Sequence, residues 1–145
     1  MFVSALHKHP QPRVASMALP NHKRILLVEN EEDEKELAAV TLAEYTLICA
    51  RDFDEGFRFA CQEEFDLYIL DNWLPGRSGV ELCRAIRELD PDTPVLFYSA
   101  AAYERDIQEG LRAGAQAYLT KPISPNKLRQ AVAQLISAPD RYAPQ

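Results

Sequence analysis

Histidine is nearly missing from this chain of 145 residues, and its placement restricts the chemistry. All three histidines lie at or before position 22, ahead of the first segment with a hydrophobic pattern. The part expected to fold therefore has no histidine to act as a catalytic base or as a phosphodonor. His7 and His9 could chelate a metal, but we favour solvated side chains for two histidines in a stretch without periodicity.

Basic residues and long apolar runs are also scarce. Lys and Arg total 16 against 22 for Asp and Glu, so the formal net charge is -6. An acidic surface without a basic helix argues against direct nucleic-acid binding. No apolar run approaches the roughly 20 residues that a membrane span needs. The first 20 residues also lack the apolar core of a signal peptide. These absences predict a cytoplasmic protein without a membrane partner.

Cysteine is too sparse for a disulfide framework. The three cysteines, Cys49, Cys61 and Cys83, are an odd number and stand far apart. Their spacing matches no metal-binding motif. We expect buried thiols in a reducing compartment.

Apolar runs typical of buried strands alternate with helical patterns through most of the chain. The predicted strands are Arg24–Glu29, Tyr45–Ala50, a run ending at Leu70, Pro94–Tyr98 and Ala117–Thr120. The predicted helices are Glu31 to about Ala43, Asp54–Glu64, one containing Leu82–Leu89, about Glu104–Ala113, and one beginning at Pro125 with Ser124 as its N-cap. This alternation predicts a parallel sheet covered on both faces. We expect a tail at 1–22, one domain at 23–138 and a short tail at 139–145, with no room for an output domain.

Polar side chains follow four of the predicted strands. Asp71 ends the third, Ser99 follows the fourth, Lys121 follows the fifth, and the acidic segment Glu29–Asp33 follows the first. The carboxyl ends of parallel strands meet at one edge of the sheet, where open α/β sheets bind ligands. Asp71 taken alone could simply cap a loop. Together, a carboxylate nucleophile, an acidic cation site, a hydroxyl and a lysine are what phosphoryl transfer to aspartate requires.

These segments resemble the receiver domain of bacterial two-component response regulators over about residues 23–136. The resembling stretches are 25–30, 66–71, 74–79, 94–100, 110–115 and 118–122. The resemblance implies a flavodoxin-like, doubly wound, five-stranded parallel sheet with strand order 2-1-3-4-5 and five helices. It implies a phosphoprotein of a phosphorelay, with a histidine kinase or histidine phosphotransfer protein as donor. A changed surface would then bind an unknown downstream protein. Such a chain is a signalling phosphoacceptor that assists its own phosphorylation and dephosphorylation, and is not an enzyme in the usual sense.

The resemblance also implies the residues of a magnesium-dependent acceptor site. Asp71 would be the phosphoacceptor. It would bind Mg²⁺ together with the side chains of Glu29 and Asn30 and the backbone carbonyl of Trp73. The family usually has a second acid where this chain has Asn30, which offers a carbonyl oxygen but no charge. Losing a unit charge at about 4 Å is worth roughly 1–4 kcal/mol before desolvation. Glu31 is the residue that could compensate in part.

The resemblance implies a switch beside this site. Ser99 would be the hydroxyl that moves onto the phosphoryl group, and Lys121 would contact the phosphate, with a cis peptide before Pro122. Tyr118 would be the aromatic residue whose rotamer reports that movement, although it could also be an ordinary core residue. Gln116 and Ala117 stand where transcription-factor relatives often have a pair of acids used in dimer salt bridges, so we do not expect that dimer.

Three functions follow from this sequence. The first is a single-domain regulator phosphorylated on Asp71. The second is a degenerate receiver that acts as a phosphorylation-independent interaction module because Asn30 weakens the metal site. The third, a flavodoxin-type electron carrier, is disfavoured, because Glu29–Asp33 would repel a flavin phosphate where a glycine-rich loop is needed.

Overall fold

The computed structural model describes residues 22–137. Apart from His22, the predicted tails at 1–22 and 139–145 lie outside these residues. No helix within the described range is long and apolar enough to span a membrane.

Five strands and five helices alternate along the described chain. The strands are β1 (Arg24–Val28), β2 (Thr46–Ala50), β3 (Leu67–Leu70), β4 (Val95–Ser99) and β5 (Ala117–Thr120). The helices are α1 (Glu32–Thr41), α2 (Phe53–Gln62), α3 (Gly79–Leu89), α4 (Glu104–Arg112) and α5 (Pro125–Ile136). All strand pairs are parallel, in the order β2-β1-β3-β4-β5. The predicted fold class and strand order are confirmed.

Alternating side chains of the central strands supply two separate cores. Leu26, Tyr68 and Phe97 face the layer that contains α2 and α3. Their neighbours Ile25, Leu27, Leu67, Ile69 and Leu96 face the layer that contains α1 and α5. Successive residues of a strand point to opposite faces, so a strand covered on both sides must be apolar throughout. This requirement explains the unbroken apolar runs in the sequence.

Local residue chemistry sets several helix boundaries. Ser124 accepts a hydrogen bond from the backbone N–H of Lys127, and Pro125 occupies the first position of α5, both as predicted. Gly114, with φ of +120°, follows the end of α4 in a conformation that favours glycine. The predicted element ends differ from the observed ones by at most two residues, the usual uncertainty of a fraying terminus.

The prediction of buried thiols is wrong for two of the three cysteines. Cys83 is buried, Cys61 is partly exposed, and Cys49 is exposed. Cys49 lies on β2, an edge strand whose side chains are less covered than those of the central strands. The predicted burial followed from residue type alone and took no account of strand position.

Arg87 joins several elements at the end of the sheet opposite to the polar strand tips. Its guanidinium donates to the carbonyl of Gly114 from Nε at 3.0 Å and from Nη2 at 2.8 Å. It also donates to the carbonyls of Asp90 and Thr93. The amide oxygen of Gln116 accepts from Arg87 at 2.8 Å, and also from a backbone N–H of β4. Gln116 therefore links the Arg87 side chain to β4 inside the fold.

Candidate functional site

Four strands deliver the predicted polar residues to one edge of the sheet. Val28 pairs with Leu70, so the residues that follow them, Glu29 and Asp71, come out side by side. Glu29, Asp71 and Ser99 are buried in spite of their polarity. Buried polar groups are stable only with partners, so their contacts define what the site can do.

Asp71 uses its two carboxylate oxygens differently. Oδ1 accepts a hydrogen bond from the Ser99 hydroxyl at 2.8 Å and from the Trp73 backbone N–H at 3.1 Å. Oδ2 accepts no hydrogen bond from the described residues, and forms only a longer ion pair of 3.6 Å with Lys121 Nζ. One oxygen is thus held by donors, while the other faces a positive charge.

Lys121 is shared among three acids. Its Nζ lies 2.8 Å from Glu29 Oε1, 3.2 Å from Glu34 Oε1 and 3.6 Å from Asp71 Oδ2. Burial disfavours the ammonium charge, but the hydrogen bond to Glu29 and the charge of Asp71 outweigh burial and raise the pKa of Lys121. The peptide bond before Pro122 is cis, as the sequence predicted. The lysine therefore stays charged across the physiological range.

Glu29 is the most buried of these acids. Its Oε1 accepts from Lys121, and its Oε2 accepts from the backbone N–H of Glu31 at 2.9 Å. Burial raises the pKa of Glu29, and the charge of Asp71 adds to that effect. The bonds from Lys121 and from the Glu31 backbone oppose the rise. Glu31 thus supports the site with its main chain, whereas the sequence suggested its side chain.

The predicted magnesium ligands are oxygen atoms, as Mg²⁺ prefers. Because residue 30 is an asparagine, the set carries one negative charge fewer than it would with acids at both positions 29 and 30. Glu29 and Asp71 supply two carboxylates, and Trp73 has a backbone carbonyl that accepts no hydrogen bond from the described residues. Asn30 is exposed. Within residues 22–137 no three His, Cys, Asp or Glu side chains are grouped to hold a metal. This is expected when an amide and a backbone carbonyl make up half of the ligand set. Carboxylate, amide and carbonyl oxygens are ligands that Mg²⁺ accepts.

Ser99 and Tyr118 are connected through Ala101. The Ser99 hydroxyl accepts from the Ala101 N–H at 3.1 Å, and the Tyr118 hydroxyl donates to the Ala101 carbonyl at 2.6 Å. The Tyr118 ring stacks on Phe97 with centroids 5.2 Å apart. It also lies against Gly110 of α4, where a Cβ would meet Tyr118 Cδ2 at 2.9 Å. Burial raises the pKa of Tyr118. The Tyr118 ring therefore packs in the core, while its hydroxyl forms a hydrogen bond with the loop after β4.

Sequence reasoning missed the structural role of Asn72. This residue is buried, and its Oδ1 accepts from the backbone N–H of Val80 at 3.3 Å. Its carbonyl accepts from the N–H groups of Leu74 and Gly79. Asn72 therefore folds the loop that connects Asp71 to α3. An asparagine just before a loop was an available signal, because such residues commonly bond to nearby backbone.

Sequence reasoning also missed Glu34. Its position was readable, because Ala38 and Thr41 follow it by four and seven residues and both are buried on the inward face of α1. The acids of the segment Glu29–Asp33 were considered as a group, and this periodicity was not applied to the next acid. Trp73 is exposed, with 62% of its surface accessible.

Sequence comparisons find relatives over most of the chain. The family model described as the response regulator receiver domain matches residues 25–133. The uncharacterized transcriptional regulatory protein YrkP of Bacillus subtilis is 39% identical over 115 residues, which cover 77% of this chain and 49% of that protein. The alkaline phosphatase synthesis transcriptional regulatory protein PhoP of the same organism is 35% identical over 130 residues, covering 85% of this chain and 52% of PhoP. The chain spans about half the length of these curated relatives.

Solved structures show the same fold. A CheY-like response regulator receiver domain protein from Methanospirillum hungatei superposes with a TM-score of 0.80 at 26% identity, covering 85% of this chain and all of that one. The receiver domain of the sensor histidine kinase PA1611 from Pseudomonas aeruginosa gives a TM-score of 0.75 at 26% identity, covering 81% of this chain and 99% of that one. The latter structure is described with a magnesium ion coordinated in its active site cleft.

Proposed function

This chain belongs to the response regulator receiver domain family of signalling phosphoacceptors, and from that premise we propose that Asp71 is the residue that accepts the phosphoryl group. The observation that supports this assignment is the asymmetry of its carboxylate. Ser99 and the Trp73 N–H hold Oδ1, while Oδ2 has no hydrogen bond from the described residues and faces Lys121. An oxygen with free lone pairs beside a fixed positive charge suits a nucleophile that must meet an anionic phosphoryl group.

The proposed transfer is a single displacement at phosphorus. Oδ2 of Asp71 forms the new P–O bond while the bond from phosphorus to the imidazole nitrogen of the phosphohistidine donor breaks. The electron pair of the broken bond leaves with the imidazole. Lys121 then neutralises charge on a phosphoryl oxygen. Bound Mg²⁺, held by Glu29, Asp71, Asn30 and the Trp73 carbonyl, would supply further positive charge for the anionic group.

We further propose that Ser99 and Tyr118 carry the signal away from Asp71. A phosphoryl group on Asp71 offers the Ser99 hydroxyl new acceptor oxygens. If the hydroxyl turns toward them, its bond with the Ala101 N–H changes, and with it the loop whose carbonyl binds Tyr118. This differential contact is what biases one conformation over the other. The changed surface near α4 would then bind a downstream protein, with a histidine kinase or histidine phosphotransfer protein as the donor partner.

One observation favours a second candidate, a degenerate receiver that binds partners without phosphorylation. Asn30 leaves the metal site one charge short, and residues 22–137 contain no group of three His, Cys, Asp or Glu side chains that could hold a metal ion. If Mg²⁺ binds too weakly, Asp71 stays unmodified, and the same surface acts as a constitutive interaction module.

One experiment separates the two candidates and tests the acceptor. The protein is incubated with acetyl phosphate and Mg²⁺, and its intact mass is followed in the presence and absence of EDTA. We expect a gain of one phosphate that EDTA prevents and that Asp71→Asn abolishes. Asp66→Asn is the matched control, because the same substitution is made just before β3, at the end of the strand away from the site, and should leave labelling intact. Labelling of Asp71→Asn at the wild-type rate would refute the assignment, and an unlabelled wild type would support the degenerate receiver.

A further inference from the structure

Glu34 is a charged residue of the cleft to which the proposed transfer assigns no role. It lies in the first turn of α1, and its Oε1 is 3.2 Å from Lys121 Nζ. The neighbouring Glu32 pairs instead with Lys35, on its own helix. Glu34 therefore reaches across from α1 to a lysine of the phosphoacceptor site.

The position of Lys121 among its acids is uneven. Its two shortest contacts are with Glu29 at 2.8 Å and Glu34 at 3.2 Å, both within hydrogen-bonding distance. Asp71 Oδ2, at 3.6 Å, lies beyond that distance. The ammonium donates a hydrogen bond to Glu29 and forms an ion pair with Glu34, so its two nearest partners are acids other than the proposed nucleophile. The resting lysine is thus displaced toward Glu29 and the first turn of α1.

We propose that Glu34 is a positioning residue that holds Lys121 away from Asp71 until a phosphoryl group arrives. The inference rests on Asp71 being the acceptor. To contact a phosphoryl oxygen, Lys121 must give up or lengthen its ion pair with Glu34. The need to break this ion pair slows the transfer, so Glu34 restrains the rate of phosphorylation.

Burial and charge set the size of this restraint. The Lys121 side chain is only 13% exposed, while that of Glu34 is 37% exposed. Ion pairs with a partly exposed partner are screened by water and contribute modestly. We therefore expect that removing the Glu34 charge speeds phosphorylation by roughly three- to fivefold, the rate equivalent of such a pair.

Glu34→Gln is the informative substitution, because it keeps nearly the same volume and one acceptor oxygen but removes the charge. Glu36→Gln is its matched control, since Glu36 lies on the same helix, is exposed, and forms no ion pair with the described residues. Both variants have the same net charge. With acetyl phosphate and saturating Mg²⁺, Glu34→Gln should label three- to fivefold faster than wild type, and Glu36→Gln at close to the wild-type rate.

A double-mutant cycle separates positioning from a merely structural role. In a Lys121→Gln background the residual labelling rate should no longer respond to Glu34→Gln, because the restraint acts through the lysine. An equal acceleration in both backgrounds would overturn the proposal. So would a slower Glu34→Gln, which would mean that the carboxylate chiefly attracts the metal.

Crystal structures of wild type and Glu34→Gln provide a readout that does not depend on phosphorylation. In the variant, Lys121 Nζ should move to within hydrogen-bonding distance of Asp71 Oδ2. If the wild type takes up no phosphate but the lysine moves, the acceptor assignment fails, and the control of phosphorylation by Glu34 fails with it, although Glu34 still sets the position of the lysine. A lysine that stays in place, with matching rates for Glu34→Gln and Glu36→Gln, would overturn the positioning role while leaving the acceptor intact.

Discussion

Replacing Ser99 by alanine tests whether the resting carboxylate depends on the hydroxyl beside it. The hydroxyl donates to Asp71 Oδ1 at 2.8 Å and accepts from the Ala101 N–H at 3.1 Å. Ser99 and Ala101 are both fully buried, so water cannot replace the lost oxygen. The substitution removes one charge-assisted bond and leaves one buried N–H without its acceptor.

The expected loss of stability follows from these two contacts. A hydrogen bond to a charged group contributes about 1.5–3 kcal/mol, and a buried unsatisfied donor costs about 1–3 kcal/mol. The two terms share one oxygen and are not fully additive, and Asp71 Oδ1 keeps its bond from the Trp73 N–H. We therefore expect Ser99→Ala to lower the free energy of unfolding by about 3 kcal/mol.

Urea unfolding measures this loss as a lower midpoint with an unchanged slope. Ser124→Ala is a suitable control, because it removes the N-cap of α5 without touching Asp71 and should cost about 1 kcal/mol. A Ser99→Ala protein as stable as wild type would refute the resting hydrogen bond. In the signalling assay, Ser99→Ala should still accept phosphate while the backbone amide shifts around α4 respond less. An equal response in both proteins would exclude Ser99 from the switch.

Three further outcomes are expected. Asn30→Asp restores an acid and should tighten Mg²⁺ binding, which Trp73 fluorescence can measure, and the gain in affinity should shrink as the salt concentration rises. The same variant should be slightly less stable than wild type without metal. Unchanged affinity would mean that residue 30 is not a ligand. Arg87→Lys cannot keep both bonds to the Gly114 carbonyl and should cost about 2 kcal/mol in urea unfolding, unlike a lysine at an exposed arginine position. Burial raises the pKa of Tyr68 above its ordinary value of 10.0. The unfolded chain therefore loses that proton first, and stability should fall as pH rises above 10. Tyr68→Phe should flatten the fall, and an equally steep decline in that variant would contradict it.

The fold was readable because burial on both faces leaves a strong mark on composition. A strand such as Leu67–Leu70 has no solvent side, so its sequence is continuously apolar. Five largely apolar runs separated by helical patterns leave few arrangements. The convergence of Asp71, Ser99 and Lys121 followed from strand ends alone, because parallel strands share one carboxyl edge. The cis peptide before Pro122 came from the family resemblance.

The features that could not be predicted from the sequence depend on distances between residues of different helices and strands. Glu31 was the obvious compensating acid by its place in the acidic segment, yet its contact with the site is a backbone N–H. Among the acids of α1, the one that pairs with Lys121 is Glu34, because the first turn of this helix directs it toward the cleft. Cys49 was expected to be buried by residue type, whereas edge-strand position decides its exposure. Nothing in a local sequence pattern ranks the distances of three acids from one ammonium.

The narrow space beside Tyr118 limits which sequences can preserve its resting rotamer. A single methyl group on Gly110 would lie 2.9 Å from Tyr118 Cδ2 and 3.1 Å from Phe97 Cδ2. The two rings stack, so neither can yield without disturbing the other. Alanine at position 110 would therefore push against the Tyr118 ring in the position described here. If Tyr118 carries the signal as proposed, a position with no side chain helps to set the balance between the two states, and alanine there should shift that balance without altering any residue of the phosphoacceptor site.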